Sequence, residues 1–126
     1  MPAFIARPVL MVLTALLLAA APLGPALAEG FTPLRDKAAF VALIENKNLK
    51  RLGITLRVLP GGAITGKALG QKVRGAWQWR DGYFCRDLYW GNENLGANCQ
   101  EVSVRGRTLR FQSDRGTGDY ADLSLD

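Results

Sequence analysis

The sequence predicts a mainly β (α+β) fold, an antiparallel meander that forms a curled sheet or small barrel with one N-terminal helix. Two observations support this class. From Ile54 onward, segments with alternating apolar and polar residues recur about every ten residues, and Gly-rich turns join them. These connections are too short for the crossover that parallel strands need, so neighbouring strands should run antiparallel.

Residues 1–28 are typical of a signal peptide. Arg7 precedes the uncharged apolar run Val9–Ala21, and Ala26-Leu27-Ala28 has the small-x-small pattern that signal peptidase reads. We therefore predict cleavage between Ala28 and Glu29. The run is shorter than the ~20 residues that cross a membrane, although an uncleaved anchor is the alternative.

After cleavage, residues 29–126 would form a single small domain without a membrane span, in the periplasm or secreted. The formal net charge of the whole chain is +5, with one local cluster at Lys47, Lys50 and Arg51. In an exported protein we expect no nucleic-acid partner; anionic lipid headgroups or cell-wall polymers are plausible acidic partners. The alternative is a solvated edge that keeps the domain in solution.

Cys85 and Cys99 are the only cysteines, an even number that suits an oxidising compartment. We predict that they form a structural disulfide. Its closed loop of about 15 residues would contribute roughly 3 kcal/mol in the chain-entropy model. The chain contains no histidine, so two thiols leave too few ligands for a metal. We expect no metal and no cofactor.

The first element after the signal is predicted to be a helix over Thr32–Asn48. Asp36 is a candidate N-cap, and Phe40, Leu43 and Ile44 follow the i, i+3, i+4 spacing of an apolar stripe. A helix this short is not stable alone, so the stripe should dock on the sheet.

Seven strands are predicted to follow the helix. Pro60-Gly61-Gly62 and Asp81-Gly82 mark tight turns between them, while Gly91–Ala97 and Asp114–Asp119 read as loops. The predicted strands are Ile54–Val58, Ile64–Leu69, Val73–Trp79, Tyr83–Trp90, Cys99–Val104, Thr108–Gln112 and Tyr120–Leu125.

Strand alternation assigns the residues of the central strand to two faces. Phe84, Leu88 and Trp90 share a face with Arg86, and Cys85 lies on the other. Arg86 should therefore accompany apolar side chains.

Common catalytic machinery is missing from the sequence. The absence of histidine excludes Ser-His-Asp and Cys-His nucleophiles. Gly61–Ala68 resembles the pattern of a phosphate-binding loop, GxxxxGK[ST]. It has Ala68 where the pattern requires the hydroxyl of Ser or Thr, and a strand rather than a helix follows it. Asp81, Asp87 and Glu93 could supply a carboxylate pair, but scattered surface acids are the simpler interpretation.

Two groups of residues are candidates for ligand binding. Trp77, Trp79 and Trp90 could stack on a sugar or planar ligand with Arg86 beside them, or they could simply form the core. Asp114 and Arg115 begin a Gly-rich loop that could turn backbone N–H groups toward an anion, or whose aspartates could satisfy their own backbone.

The run GAWQWRDGYFCRDLYWGNENLGANCQEV, followed by TLRFQSDRGTG, resembles a group of small exported proteins of Gram-negative bacteria. Their shared pattern is G-x-W-x-W, G-Y-F-C-R, W-G, a second Cys and D-R-G-T-G. Many of them carry the name dihydrodipicolinate reductase, so the resemblance implies either an uncharacterised exported domain or that enzyme. The reductase activity is disfavoured here because the chain has no histidine and no strand–glycine turn–helix unit.

We therefore expect a non-enzymatic periplasmic or secreted domain that binds an unknown ligand, a glycan or an envelope protein, or an envelope-associated structural factor. The alternative is an enzyme, either the named reductase or a hydrolase.

Overall fold

The computed structural model describes residues 30–126. The predicted signal peptide and its cleavage between Ala28 and Glu29 lie outside this range. The elements in chain order are β1 (Thr32–Leu34), α1 (Lys37–Ile44), β2 (Leu49–Arg51), β3 (Ile54–Val58), β4 (Ala63–Ala68), β5 (Gln71–Arg80), β6 (Tyr83–Trp90), β7 (Glu93–Arg105), β8 (Thr108–Gln112), α2 (Ser113–Gly116) and β9 (Tyr120–Leu125).

Strands β2 to β9 form a closed, eight-stranded antiparallel barrel. Each strand pairs with the next along the chain, and β9 pairs back with β2 through Leu49↔Leu125 and Lys50↔Ser124. The short β1 pairs with β7 beyond the end of β6. The predicted fold class, a mainly β meander that forms a small barrel with an N-terminal helix, is confirmed.

The barrel has two unlike ends because the connections of a meander alternate between them. The β3–β4, β5–β6 and β7–β8 turns lie at one end together with α1, and we call this the closed end. The β2–β3, β4–β5, β6–β7 and β8–β9 connections lie at the other, which we call the open end.

Helix α1 fills the closed end with its apolar side chains. Phe40 is fully buried and stacks on Trp79 at 5.1 Å between ring centroids, and it meets the ring of Trp77 edge-on at 5.4 Å. Phe84 packs against the same phenyl ring at 5.3 Å. The docking of the predicted apolar stripe on the sheet is thus explained by aromatic packing.

Two inward-facing glycines allow neighbouring strands to approach closely in the β3–β6 part of the wall. A Cβ atom on Gly66 would collide with the Thr55 carbonyl oxygen, and one on Gly75 would collide with that of Asp87. Glycine is therefore required at both positions, and neither contributes a side chain to the interior.

The predicted disulfide is present. Cys85 and Cys99 are direct partners across β6 and β7, on the outer face of the barrel, and their sulfurs are bonded. No helix in the described part of the chain is long and apolar enough to cross a membrane.

The predicted ends of the helix are wrong, and one strand was missed. The helix spans Lys37–Ile44 rather than Thr32–Asn48, because Thr32–Leu34 pairs with β7 as a strand. Asp36 occupies the N-cap position, but its side chain makes no capping hydrogen bond. The strand β2 was not predicted, since two of its three residues are charged and exposed.

The predicted loop Gly91–Ala97 is also wrong. Only Gly91 and Asn92 form the turn, and β7 begins at Glu93. The polar, Gly-containing composition suggested a loop, but pairing with β6 orders the segment as a strand. The predicted loop Asp114–Asp119 overlaps the four-residue turn α2, in which Asp114 and Arg115 have left-handed rather than helical backbone angles.

Candidate ligand-binding cavity

The barrel encloses a cavity of ≈ 210 Å³ above the aromatic layer that packs on α1. Its wall is mostly aliphatic, with inward-facing side chains of β3, β4 and β6 such as Leu56, Ile64 and Leu88. Phe84 forms part of the lining and also contacts Phe40 of α1, so it closes the cavity on the side of the helix.

The barrel wall is incomplete on one side of the cavity. In chain order, the pairing of β7 with β8 begins at Glu101. The preceding part of β7, from Glu93 to Gln100, therefore extends beyond the end of β8. Arg51, Gln100 and Ala121 line the cavity from the strands that border this gap. The turn α2 packs against this projecting part of β7, where Asn98 and Gln100 donate hydrogen bonds to Asp114 and Ser113.

Arg86 is the only cation in β6, and its side chain faces the interior of the barrel. It lies on the same face as Phe84 and Leu88, as strand alternation predicted, and it lines the cavity. Its Nη1 donates a hydrogen bond to the carbonyl oxygen of Gly96 at 2.9 Å. Its Nε is buried and has no hydrogen-bond partner, the only side-chain nitrogen or oxygen of residues 30–126 in that condition.

No carboxylate compensates this guanidinium. Within the described residues the salt bridges involve other arginines and lysines, and Arg86 forms none. Burial lowers the pKa of Arg86 from its usual value, and the negative charge of Asp87 on the outer face partly offsets this by raising it. An arginine remains protonated in proteins despite such a shift, so a partly desolvated positive charge lies in a largely apolar cavity.

A second cavity, of ≈ 300 Å³ and with a wholly apolar lining, lies at the open end. It shares Ile54, Leu56 and Leu88 with the inner cavity, so we call it the vestibule. Trp90 lines it and is fixed there, because its Nε1 donates to the Ala68 carbonyl oxygen at 2.8 Å.

Leu95 enters the vestibule through a β-bulge. Leu88 pairs with Gly96 and Tyr89 pairs with Asn94, so Leu95 has no partner on β6. The side-chain oxygen of Asn94 accepts a hydrogen bond from the Gly96 amide at 2.8 Å, which stabilises the bulge.

Of the six residues that the sequence suggested for binding, the structure pairs Trp77 with Arg86 across β5 and β6 and distributes the others over different parts of the barrel. Arg86 lines the inner cavity and Trp90 lines the vestibule. Trp77 is only 4% exposed, and its Nε1 donates to the Leu59 carbonyl oxygen at 2.9 Å. Trp79 stacks on Phe40, as described above. These two tryptophans thus belong to the aromatic packing at the closed end.

Asp114 and Arg115 lie beside the edge of β7 and line neither cavity. Both adopt positive φ angles of 55°, and Asp114 is held by Asn98. The Arg115 guanidinium lies over the Tyr83 ring at 5.6 Å from its centroid. The DRGTG segment is therefore satisfied by local contacts.

Sequence reasoning missed most of the apolar lining. The alternation in Ile54–Val58 was recognised, and it places Ile54, Leu56 and Val58 inward. Leu69 was expected at the end of a strand and Leu95 in a polar loop, and neither position indicated that these side chains would line a cavity. Within residues 30–126 no cluster of three or more His, Cys, Asp or Glu side chains could hold a metal ion.

Comparison of the chain with models of known protein families, with curated proteins and with solved structures finds no match.

Proposed function

We propose that this protein binds a small amphipathic anion, an aliphatic carboxylate of medium chain length, inside the barrel. The observation that carries the proposal is the half-buried Arg86 guanidinium, whose Nε is buried without a hydrogen-bond partner, in a cavity whose other lining is apolar apart from Arg51 and Gln100. A cation in such a place destabilises the fold, because desolvation is not compensated. An anionic ligand would supply the missing partner.

A carboxylate commonly binds an arginine along the edge formed by Nε and Nη2. Nη1 is engaged by Gly96, whereas Nε has no protein partner. The equivalent edge of Arg110 shows what it can hold, because Nε and Nη2 there donate to the two oxygens of Asp122 at 2.8 and 3.0 Å. A ligand carboxylate could make the same bidentate contact with Arg86.

The cavity volumes agree with a modest apolar body. An apolar protein cavity of about 150 Å³ accepts benzene, and the inner cavity measures ≈ 210 Å³. The vestibule extends the apolar space toward the open end, so a flexible chain could lie across Leu88 and Trp90. We expect the carboxylate at Arg86 and the chain directed toward the vestibule.

The proposed setting is the periplasm or the extracellular space. The disulfide is compatible with an exported domain, and the signal sequence and the resemblance to small exported bacterial proteins support the same location. In this setting the domain would act as a non-enzymatic binding protein for the anion.

The test compares decanoate with decanol, which has the same chain length without the charge. Binding to the oxidised protein is measured by calorimetry for the wild type, Arg86→Met and Arg74→Met. Arg74 is the matched control, because it lies on the outer face of β5, over the Tyr89 ring.

We expect Arg86→Met to weaken decanoate binding by more than about tenfold, as expected for a charge-assisted hydrogen bond. Decanol binding should change little in either variant, and Arg74→Met should bind decanoate as the wild type does. Failure of the wild type to bind decanoate, or equal binding by Arg86→Met, would refute the proposal.

A further inference from the structure

The open end of the barrel exposes three leucines on neighbouring connections. Leu52 in the β2–β3 turn is 98% exposed, Leu69 in the β4–β5 turn is 71% exposed, and Leu95 in the bulge after the β6–β7 turn is 50% exposed. The first two turns touch, since the Leu69 amide donates to the Gly53 carbonyl oxygen at 2.8 Å. Leu69 and Leu95 line the vestibule together. These side chains form one apolar rim, which we call the leucine rim.

Leu69 has a strained backbone conformation at this exposed position. It has φ +50°, in the left-handed region, and is followed by Gly70 at φ +81°. The β5–β6 turn has nearly the same angles but uses Asp81 and Gly82, residues that suit such a turn. A β4–β5 turn selected only for folding would have Asn, Asp or Gly at position 69. An exposed leucine there points to a role outside the fold.

The leucine rim is flanked by positive charge on β4 and β5, whereas the β8–β9 connection at the same end carries Asp114, Arg115 and Asp119. Lys67 and Lys72 are direct partners across β4 and β5 on the outer face, although like charges in this position repel. Neither forms a salt bridge within the described residues. Across residues 51–54, 67–72 and 90–95 the charged side chains are Arg51, Lys67, Lys72 and a single acid, Glu93.

We propose that the leucine rim docks on an anionic lipid surface, with the three leucines inserted among the headgroups and Lys67 and Lys72 facing the negative charge. Apolar side chains that enter the interface and flanking cations that attract anionic lipid are the two contributions that bind proteins to membranes peripherally. A second copy of the chain fits this end less well, because a symmetric contact would bring the same cations together.

Docking would bring the mouth of the vestibule to the membrane. The inference goes beyond the proposed ligand, because the leucine rim and its cations are complete without anything bound at Arg86. The two proposals can therefore fail separately. Arg86→Met should lose decanoate binding and keep its affinity for vesicles, since the inward-facing Arg86 is not part of the rim.

The test measures co-sedimentation of the oxidised, ligand-free protein with vesicles. One set contains phosphatidylglycerol and phosphatidylcholine in equal amounts, and the other contains phosphatidylcholine alone. We expect binding to the anionic set and much weaker binding to the neutral set. The apolar variant is Leu52→Asn/Leu69→Asn, in which Asn also suits the left-handed φ at position 69. Its control is Leu59→Asn in the β3–β4 turn at the closed end, where Leu59 is 37% exposed.

We expect the rim double variant to lose about tenfold or more in lipid partitioning, the scale set by burying leucine side chains. Lys67→Gln/Lys72→Gln should lose roughly fivefold for each lysine. Lys47→Gln/Arg80→Gln removes the same charge near the closed end and should lose much less. Leu59→Asn should partition as the wild type does.

Trp90 provides a check of orientation, because it lines the vestibule, whereas Trp77 and Trp79 lie at the closed end. Vesicles with brominated acyl chains should quench wild-type fluorescence, and Trp90→Phe should remove most of that quenching. Three results would overturn the inference: no binding to the anionic vesicles, equal losses in the rim and closed-end variants, or a lipid-free dimer that Leu52→Asn/Leu69→Asn abolishes.

Discussion

Asn98 on β7 and Asp114 in α2 hold each other through two reciprocal hydrogen bonds. The Asn98 Nδ2 donates to Asp114 Oδ1 at 2.8 Å, and the Asp114 amide donates to Asn98 Oδ1 at 2.9 Å. The pair fixes the first of two consecutive residues with positive φ. It thereby attaches the β8–β9 connection to the part of β7 that extends beyond β8.

Asn98→Ala should release this connection. We expect a loss of roughly 1–2 kcal/mol in the free energy of unfolding, because both hydrogen bonds are solvent-exposed. Asn98→Asp should cost more, since it removes the donor and places a second carboxylate beside Asp114. Urea denaturation gives the values, and hydrogen exchange at the Asp114 amide reports the local release. Asn92→Ala in the β6–β7 turn is the control, and an equal loss there would contradict the assignment.

Reducing the Cys85–Cys99 disulfide should destabilise the domain. The two residues are 14 apart in sequence, and a loop of that size contributes about 3 kcal/mol in the chain-entropy model. For a small domain this corresponds to a fall in Tm of more than about ten degrees. Calorimetry with and without reductant measures it, and Cys85→Ser/Cys99→Ser should melt at the lower temperature under both conditions. A wild-type Tm that ignores reductant would contradict the prediction.

The Arg110–Asp122 pair should make stability depend on pH in the acid range. The hydrogen bonds from Arg110 hold the pKa of Asp122 below its usual value. A carboxylate whose pKa is lower in the folded state stabilises the protein above its unfolded pKa, about 4. That contribution is lost as pH falls below 4 through the folded pKa. Asp122→Asn should therefore be less stable at pH 7 and should lose less stability between about pH 4 and pH 2.

Urea midpoints across this pH range test the Asp122 prediction. Asp119→Asn removes an exposed carboxylate that forms no salt bridge within residues 30–126, and it serves as the control. If Asp122→Asn followed the wild-type pH profile, the pair would not contribute as described.

Arg86→Met should raise the free energy of unfolding in the absence of ligand. The substitution removes a desolvated cation and its unpartnered Nε and replaces it with a flexible apolar side chain. We expect a gain of roughly 1–2 kcal/mol. Urea denaturation of both proteins measures it. A loss of stability instead would mean that the single hydrogen bond to Gly96 outweighs the desolvation of the guanidinium.

The sequence predicts local features of this molecule better than long-range ones. Alternation in β6 placed Arg86 on the apolar face, and Asp81-Gly82 marked a hairpin correctly, because both depend on neighbours in the chain. The other elements form because of the strands that lie beside them in the barrel. The segment Glu93–Ala97 is a strand because β6 lies beside it, despite its polar composition. The charged β2 is a strand because β3 and β9 flank it.

The candidate site follows the same division. The inward face of each strand could be predicted, but the cavity is lined by residues of seven different strands, and which strands face one another across a barrel is not visible in a hydrophobic pattern. Similarly, Leu69 becomes part of an exposed rim only because the meander brings the β2–β3, β4–β5 and β6–β7 connections to one end.

The pairing of Leu49 with Leu125 means that the barrel closes with the last strand of the chain. Asn48 and Asp126 exchange two backbone hydrogen bonds of 2.9 Å beside that pair. During synthesis, β2 therefore has an unpaired edge until β9 has emerged, and such non-local pairing slows folding. Until β9 pairs with it, the open edge of β2 is a site at which another chain could add a strand.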